Sequence, residues 1–288
     1  MTGKSERQAV LFALLAVALW STVATGFKLG LRALEPLQLL FAGALASTLF
    51  FWIVAGWLGR LRLPVKAIGQ AALFGLLNPF AYYVLLFAAY DRLPAQVAQP
   101  LNYTWSIAMA LLAWPMLGQR PTRPVLLGIL LSYGGVLIVL RPWGMAASSA
   151  VDWAGVAMAL GSTLLWAGYW LAQARSNIDP IGLLAWSFPF GLAATATVCA
   201  LGPGWPPLSA DTLAFGAWVG LVEMGAAFLL WRYALALTAN AARIGQLIYL
   251  SPLLSLGLIA LVLGESIHPA SIIGLGVIIG GLAVANRP

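Results

Sequence analysis

Hydrogen-bonding side chains recur along two apolar segments between Asn78 and Trp105, which a short turn at Asp91 to Pro94 separates. At helical spacing these side chains form one stripe on each segment. Because hydrocarbon offers amides no hydrogen bonds, a polar stripe along apolar helices predicts that the helices enclose a water-filled cavity. The stripes consist of Asn78, Tyr82 and Tyr83 on the first segment and of Gln96, Gln99, Tyr103 and Ser106 on the second, with Asn102 and Trp105 beside them.

Pro100 lies within the second stripe. A proline there removes a backbone hydrogen bond and frees a carbonyl to face ligand or water. A structural alternative stays open for single residues, since Tyr and Trp form interfacial belts and Gln pairs between packed helices. Gln99, Asn102 and Tyr103 occur together in mid-segment, which favours the cavity.

Glu223 lies about midway along another apolar segment and falls on Asn78 when the sequence is shifted by 145 residues. A charged side chain at mid-membrane costs roughly 2.5–3.5 kcal/mol or more, so we expect Glu223 to face a cavity or a partner. It can bind a substrate ammonium or carry a coupling proton, and the structural alternative is a neutral acid that bridges two helices. Arg243 and Gln246 follow at i and i+3 on the next segment, where Arg243 either meets a carboxylate or extends to the interface.

Aromatic residues on three further segments can supply the walls of the cavity. They offer flat contacts to rings and cation–π contacts to ammonium groups. Most of the 13 Trp belong to interfacial belts, so only a few are taken as ligand contacts. The predicted substrate-binding residues are Trp20, Asn78, Tyr82, Gln99, Asn102, Tyr103, Trp166, Tyr169, Trp186 and Gln246, with Glu223 and Arg243 as coupling or charge partners.

The composition excludes several classes of protein. Of the 288 residues 62% are hydrophobic and only 8% charged, whereas soluble domains carry about 25% charged residues. The net charge of +7 does not indicate a nucleic-acid partner, because the cations are scattered between apolar runs and form no basic face. One Cys and one His exclude a disulfide and argue against a metal site, and no cofactor is expected.

Ten segments are long enough to cross the ~30 Å hydrocarbon core. Turn residues separate them, and no soluble domain intervenes. The first segment resembles a signal peptide with a cleavage site near Ala16 to Ala18, but its apolar run continues through Gly26, so we expect it to be retained. The predicted segments are residues 8–28, 36–58, 67–89, 95–117, 123–140, 153–173, 181–201, 212–235, 240–262 and 268–286.

Basic residues predict the orientation of these segments in the membrane. With the N-terminus inside, nine Lys and Arg flank the cytoplasmic ends of the segments and four flank the opposite ends. Both termini are therefore expected in the cytoplasm. The four on the outer side are Lys28, Arg32, Arg92 and Arg141.

The sequence repeats itself at an offset of about 146 residues. Trp20 falls on Trp166, and Tyr103 falls on Tyr249. We therefore predict an all-α integral membrane protein with two repeats, residues 1–142 and 143–288. Five helices per repeat is an odd number, so the two repeats must be inverted, which places a binding site near the midplane where they meet. Glycines at 134, 135, 274, 276, 280 and 281 predict close helix packing, including a GxxxG at Gly276 and Gly280.

Ten helices in two inverted fives resemble the drug/metabolite transporter superfamily, and specifically its EamA-type exporters. Within that group the chain is similar to the YddG-type aromatic amino-acid exporters. The resemblance implies a cavity lined by both halves, with the fifth and tenth helices peripheral. The first copy of the repeated Leu-Gly motif departs from the family pattern, which has Glu where this chain has Gln119. The residues that carry the resemblance are Trp20 with Trp166, Leu93-Pro94-Ala95, Leu117-Gly118-Gln119-Arg120 and Leu263-Gly264-Glu265-Ser266.

The function expected from these features is a secondary exporter of amino acids, aromatic and other hydrophobic ones, in the bacterial inner membrane. A proton-coupled multidrug or metabolite exporter of the same fold is the alternative. An enzyme is not expected, because the apolar segments contain no group of residues that could act together in catalysis, such as His with Glu, paired Asp or Ser with His. ATP-driven transport is not expected either, because the sequence contains no phosphate-binding loop. The expected partners are a small-molecule substrate and lipid; a monomer is expected, and a dimer stays open.

Overall fold

The computed structural model describes residues 5–118, 120–140, 151–176, 178–238, 244 and 247–285. All regular structure in this part of the chain is helical. We group its helices into α1 to α10 in chain order. These are α1 (Glu6–Ser21, Val23–Ala33), α2 (Pro36–Trp57), α3 (Val65–Gly75, Leu76–Ala81, Tyr82–Arg92), α4 (Ala95–Asn102, Trp105–Leu117), α5 (Arg123–Leu140), α6 (Trp153–Ala174), α7 (Pro180–Leu201), α8 (Ala210–Ala217, Trp218–Ala226, Ala227–Leu237), α9 (Leu247–Tyr249, Leu250–Leu258, Ile259–Leu263) and α10 (Pro269–Ala285).

Seven helices in the described residues are long and apolar enough to cross a membrane, namely α1, α2, α3, α5, α6, α7 and α8. Two shorter apolar helices, Leu250–Leu263 and Pro269–Ala285, follow. The chain is therefore an all-helical, multi-pass membrane protein. The predicted fourth segment is divided in two at Tyr103 and Thr104, three residues after Pro100.

Local sequence signals fix where several helices begin and end. Pro36 opens α2 behind a capping box formed by Glu35 and Gln38, and the carboxylates of Asp152 and Asp179 accept backbone N–H groups at the starts of α6 and α7. Gly118 and Gly264 end α4 and α9 with φ of 71° and 68°, a left-handed conformation that glycine adopts without strain.

Regular α-helix is interrupted at equivalent places in the repeat. In α3 the interruption is a kink within Leu76–Ala81, where Asn78 has extended backbone angles (φ −148°, ψ 118°) and is joined to Pro79 by a cis peptide bond. In α8 it is the π-helical stretch Trp218–Ala226, which includes Glu223. Single π-helical turns often mark functional sites. Asn78 lies in the first of these stretches and Glu223 in the second, and the two residues align at the sequence shift of 145.

Helices α5 and α10 pack against each other in antiparallel orientation. A Cβ atom added to Gly128 would lie 2.5 Å from the Gly281 carbonyl oxygen, and one added to Gly135 would lie 2.6 Å from that of Gly274. Ser132 Oγ donates to the Ile278 carbonyl oxygen at 3.1 Å between these two crossings. Small residues at these four positions are what allow the two backbones to touch.

Helices α2 and α7 are antiparallel as well. Near one end Gln38 lies beside Gly204, in the middle the rings of Phe51 and Phe188 are 4.8 Å apart, and at the other end Arg60 pairs with Asp179 at 3.0 Å. Helix α7 also packs against α3, and α2 packs against α8, close to the interruption in each of those helices. Gly75 of α3 lies against α7, and Gly220 of α8 lies against α2.

The helix contacts follow the internal repeat. When five is added to or subtracted from each helix number, one packed pair of helices becomes another packed pair. Helix α1 packs against α8 and α9, as α6 packs against α3 and α4, and α2 packs against α8 as α7 packs against α3. Sequence positions 144 or 145 residues apart show the same exchange, because Gly75 meets Ser187 and Gly191 while Gly220 meets Gly43 and Ser47.

The predicted GxxxG at Gly276 and Gly280 is not the packing surface within this chain. A Cβ atom added at either position, or at Gly134, meets no atom within 4 Å, whereas Gly274 and Gly281 face α5. Gly276 and Gly280 do lie on one face of a helix, but it is another face of α10 that meets α5. That face carries Gly274 and Gly281, which are seven residues apart.

We expect Gly281→Ala to destabilise the protein and its neighbour Gly280→Ala to be neutral or slightly stabilising. The added methyl group at 281 would lie 2.6 Å from a backbone oxygen of α5, so the helices must separate. At 280 there is open space, and Ala is a better helix former than Gly. Fluorescence-detected size exclusion after heating in detergent measures both variants, and equal melting temperatures would contradict this packing.

Candidate functional site

A cavity of about 340 Å³ lies among α1, α3, α4, α6 and α8, with Ile248 of α9 at its edge. Its walls come from both halves of the chain. The lining residues are Trp20, Val23, Phe27, Tyr82, Leu86, Tyr90, Gln99, Asn102, Tyr103, Trp105, Met109, Trp166, Trp170, Leu171, Glu223, Trp231 and Ile248.

Most of the predicted site residues with described positions lie together in this cavity. Gln99 and Tyr103 of the polar stripe on α4 line it, and Gln99 is only 2% exposed, whereas Gln96 lines a second hollow near the start of α4. The predicted residues that line the cavity are Trp20, Tyr82, Gln99, Asn102, Tyr103, Trp166 and Glu223.

Two of the side-chain hydrogen bonds that join α4 to the second half lie at the cavity. Asn102 Nδ2 donates to Ser162 Oγ on α6 at 3.2 Å, with the Tyr82 hydroxyl at 3.5 Å. The Tyr103 hydroxyl donates to Ser251 Oγ on α9 at 2.7 Å. The break in α4 at Tyr103 and Thr104 thus aims two neighbouring polar side chains at helices of the second half.

Glu223 has one satisfied and one unpartnered carboxylate oxygen. Its Oε1 accepts a hydrogen bond from the Tyr83 hydroxyl at 3.0 Å, and its Oε2 has no hydrogen-bond partner among the described residues. The side chain is only 6% exposed. Gln99 Oε1 is likewise buried without a described partner. Unpartnered buried polar atoms are costly, so their presence beside a cavity indicates a place for a ligand or water.

Aromatic rings form a continuous wall on one side of these polar groups. Tyr82 stacks on Trp166 with ring centroids 4.5 Å apart and an interplanar angle of 29°. Trp166 meets Phe228 edge-on at 5.6 Å, and Trp20 lies 5.5 Å from Trp231. Such a wall presents several π faces to anything that enters the cavity.

Three predicted residues lie outside the cavity lining. Trp186 donates to the Leu61 carbonyl oxygen at 2.8 Å and packs on Trp52, because α7 lies against α2 and the start of α3. Tyr169 accepts from Gln173 Nε2 at 2.5 Å and packs on Phe74. Asn78 is fully buried at the kink of α3. These three residues therefore lie in the packing that supports the cavity.

Two further predictions, Arg243 and Gln246, lie outside the described residues. The same holds for Gln119, for residues 141–150 and for the side chain of Ser106.

Sequence reasoning missed Trp231, Trp170 and Tyr90 as lining residues. The internal repeat carried a signal for Ile248, because it falls on the predicted residue Asn102 at a shift of 146. The repeat also pairs Trp231 with Leu86 at 145, but neither of these was predicted. Comparing each half with the other would therefore have found Ile248, which stripe patterns alone did not.

A second hollow of about 660 Å³ lies near the ends of α1 and α3, beside the loop between α9 and α10, and its lining includes Lys28, Arg32 and Glu265. Glu265 accepts from the backbone N–H groups of Ala95 and Gln96 at 3.1 and 3.4 Å, so it caps the start of α4. We call this hollow the vestibule.

An ion pair closes one side of the vestibule. Arg92 Nε lies 2.9 Å from Asp152 Oδ2 and so joins the end of α3 to the start of α6. The Gly155 N–H and the Arg92 guanidinium hold the pKa of the Asp152 carboxyl below its usual range.

The EamA-like transporter family model matches the chain twice, over residues 7–141 and 153–287. An uncharacterized protein of Pseudomonas aeruginosa is 32% identical over 76% of this chain and 72% of its own length. The aromatic amino acid exporter YddG of Ancylobacter novellus is 24% identical over 98% of each chain. A probable terminal-alkyne amino-acid exporter of Streptantibioticus cattleyicolor is 25% identical over 97% of this chain and 94% of its own.

One solved crystal structure superposes on this fold with a TM-score of 0.69. It covers 96% of this chain and 95% of the other at 22% identity, which establishes likeness of fold.

We expect a cysteine in the cavity to react with a charged, membrane-impermeant thiol reagent and a cysteine on the lipid face to stay unmodified. In a Cys199→Ala background, Val23→Cys places a thiol in the cavity wall with little change of volume, and Leu130→Cys places one on a surface that is 70% exposed on α5. Thiols react as thiolates, which lipid does not support. Mass spectrometry of both variants in nanodiscs gives the extent of labelling, and an unreactive Val23→Cys would mean that the cavity is dry.

Proposed function

The chain belongs to the EamA-like transporter family, and from that premise we propose that it is a secondary exporter of amino acids, chiefly aromatic and other hydrophobic ones, in the bacterial inner membrane. Two full-length relatives carry names that specify amino-acid export. They support the substrate class, and the cavity supports the aromatic preference.

The observation that carries the proposal is the joint composition of the cavity wall. A carboxylate, an amide and stacked indole and phenol rings meet at buried depth between helices of both halves. An amino acid needs polar partners for its charged end and a flat apolar surface for its side chain. Both are present within a volume of about 340 Å³, within the usual range of about 300–1,000 Å³ for small-molecule sites.

Ten membrane crossings in two inverted repeats, residues 1–142 and 143–288, complete the proposal. The antiparallel packing of α2 on α7 and of α5 on α10 supports inversion, because these pairs are equivalents in the sequence repeat. Loop contacts support the alternation of sides. Arg60 with Asp179, and Arg92 with Asp152, each join segments that ten crossings put on the same face.

Alternating access through this cavity is part of the proposal. The cavity lies where the halves meet, and the polar contacts beside it include those from Tyr103 to Ser251 and from Asn102 to Ser162. Hydrogen bonds of this kind contribute about 1 kcal/mol each, so they can break and re-form as helices on the two sides of the cavity move apart. The tightly packed glycine crossing of α5 and α10 stays outside the cavity lining.

A proton-coupled multidrug exporter is the second candidate, and Glu223 favours it. A buried carboxylate with one free oxygen can take up a proton on one side and release it on the other. The two candidates differ in energetics. A proton gradient would drive accumulation above equilibrium in the coupled exporter, and Glu223→Gln would abolish that accumulation but leave downhill exchange.

We expect purified protein in liposomes loaded with unlabelled tryptophan to take up labelled tryptophan by counterflow. The aromatic wall should favour tryptophan, phenylalanine and leucine over glycine and aspartate as competitors, since only the former bury apolar surface against it. Protein-free liposomes are the control. Uptake no faster than in those liposomes, or competition by no amino acid, would overturn the substrate class.

We expect alkaline phosphatase fused after Gly204 to be active and fused after Arg60 to be inactive. Ten crossings with a cytoplasmic N-terminus place the first position outside and the second inside, as the basic flanks predict. A green fluorescent protein at the C-terminus should fluoresce. The reverse pattern would invert the orientation and leave the fold unchanged.

A further inference from the structure

We propose that the cavity recognises its substrate through an ammonium group held by Glu223, so that aromatic amines without a carboxylate bind as aromatic amino acids do. This inference rests on the proposed function and narrows its substrate class. The cavity would bind the amino group and the aromatic ring of the substrate. The carboxylate of an amino acid would not be needed for binding.

The first support is the unfilled capacity of the Glu223 carboxylate. A carboxylate accepts up to about four hydrogen bonds, and Tyr83 has one hydroxyl proton, which it donates to Oε1 at 3.0 Å. Oε2 is buried, without a described partner, in a side chain that is 6% exposed. A donor from outside the protein is the simplest way to satisfy it.

The second support is the kind of polar atom that is left over. Gln99 Oε1, in a side chain that is 2% exposed, is also buried without a described partner, and Gln99 lines the same cavity. Both of these enclosed atoms are acceptors, and one of them belongs to the lining residue that carries a charge. An ammonium group carries three donors and no acceptor, whereas a carboxylate carries only acceptors. These two atoms therefore favour the amino end of a substrate.

Two of the side-chain donors on α4 are already in use. Asn102 Nδ2 is committed to Ser162 and Tyr82, and the Tyr103 hydroxyl to Ser251. A substrate carboxylate that took them would have to break contacts between the halves. An ammonium at Glu223 requires no such exchange.

The third support is the charge and ring content of the wall. Among the described lining residues, Glu223 is the one with a charged side chain, and Lys28 and Arg32 lie in the vestibule. The rings of Tyr82 and Trp166 are stacked 4.5 Å apart, and Trp20 and Trp231 lie 5.5 Å apart. Trp faces attract cations within about 6 Å of the ring centroid, and the attraction is larger in desolvated sites.

The test is competition of labelled tryptophan counterflow by four indole compounds in liposomes containing the wild-type protein. Tryptamine keeps the ring and the ammonium, and tryptophan amide adds a neutral amide. N-acetyltryptophan and indole-3-propionate keep the ring and a carboxylate but lack the ammonium. We expect the two amines to compete within about threefold of tryptophan and the two acids to be at least about tenfold weaker. Acids as effective as tryptophan, or an ineffective tryptamine, would overturn the inference.

Matched variants locate the effect. Glu223→Gln keeps the shape and removes the charge, and it should raise the half-maximal concentration of tryptamine about tenfold or more. Asp211→Asn removes an exposed carboxylate at the start of the same helix and should change nothing. An unchanged tryptamine response in Glu223→Gln would contradict the role of Glu223. If this variant does not fold, the compound series on the wild-type protein decides alone.

Failure of this inference is distinguishable from failure of the proposed function. Counterflow of tryptophan with equal competition by acids and amines would retain an amino-acid exporter and reject ammonium recognition. Absence of counterflow would reject the exporter. In that case the thermal stability of the detergent-solubilised protein still tests recognition, since tryptamine should raise the melting temperature and N-acetyltryptophan should not.

Discussion

The hydrogen bond between Tyr83 and Glu223 is the contact on which the interior depends. It joins α3 to α8 at the interruption of each helix, and it is buried, with Glu223 in the lining of the cavity. Removing one partner of a buried hydrogen bond costs about 1–3 kcal/mol, and more for a charged group, because the other partner stays desolvated. A carboxylate at this depth is tolerated only because Tyr83 and the cavity share its solvation.

The helices around this hydrogen bond meet in two ways. Some pack closely through glycines, and others meet through polar and aromatic side chains at the cavity. Glycines hold α5 against α10 and hold the interrupted regions of α3 and α8 against α7 and α2, where even one methyl group would collide with backbone. Close packing of this kind is stiff. The cavity instead carries amides, hydroxyls and rings that meet across the halves through hydrogen bonds such as those of Asn102 and Tyr103. Because each of these glycine contacts joins one repeat to the other, the tightly packed helix pairs would move together, and the polar contacts at the cavity are where movement costs least.

Much of this arrangement could be predicted from sequence, for reasons that differ from residue to residue. Gln99 and Trp166 were found because polar residues and repeated aromatics are exceptional on apolar helices, and the membrane leaves few explanations for them. Trp186 and Tyr169 have the same composition signal, yet they face α2 and α3, because the rotation of a helix is set by its neighbours. Gly276 and Gly280 show likewise that sequence spacing does not tell which face of a helix meets its neighbour. Their spacing identified a small-residue face, but only the packing of α5 on α10 shows that the glycines at 274 and 281 are the ones in contact.

A crystal structure with 5-bromotryptophan bound is the most direct measurement of where a substrate lies. The anomalous signal of bromine should fall inside the cavity beside Tyr82 and Trp166, with the amino nitrogen about 3 Å from Glu223 Oε2. Bromine found only in the vestibule or on the lipid face, with the space beside Glu223 filled by side chains, would contradict a binding chamber between the halves.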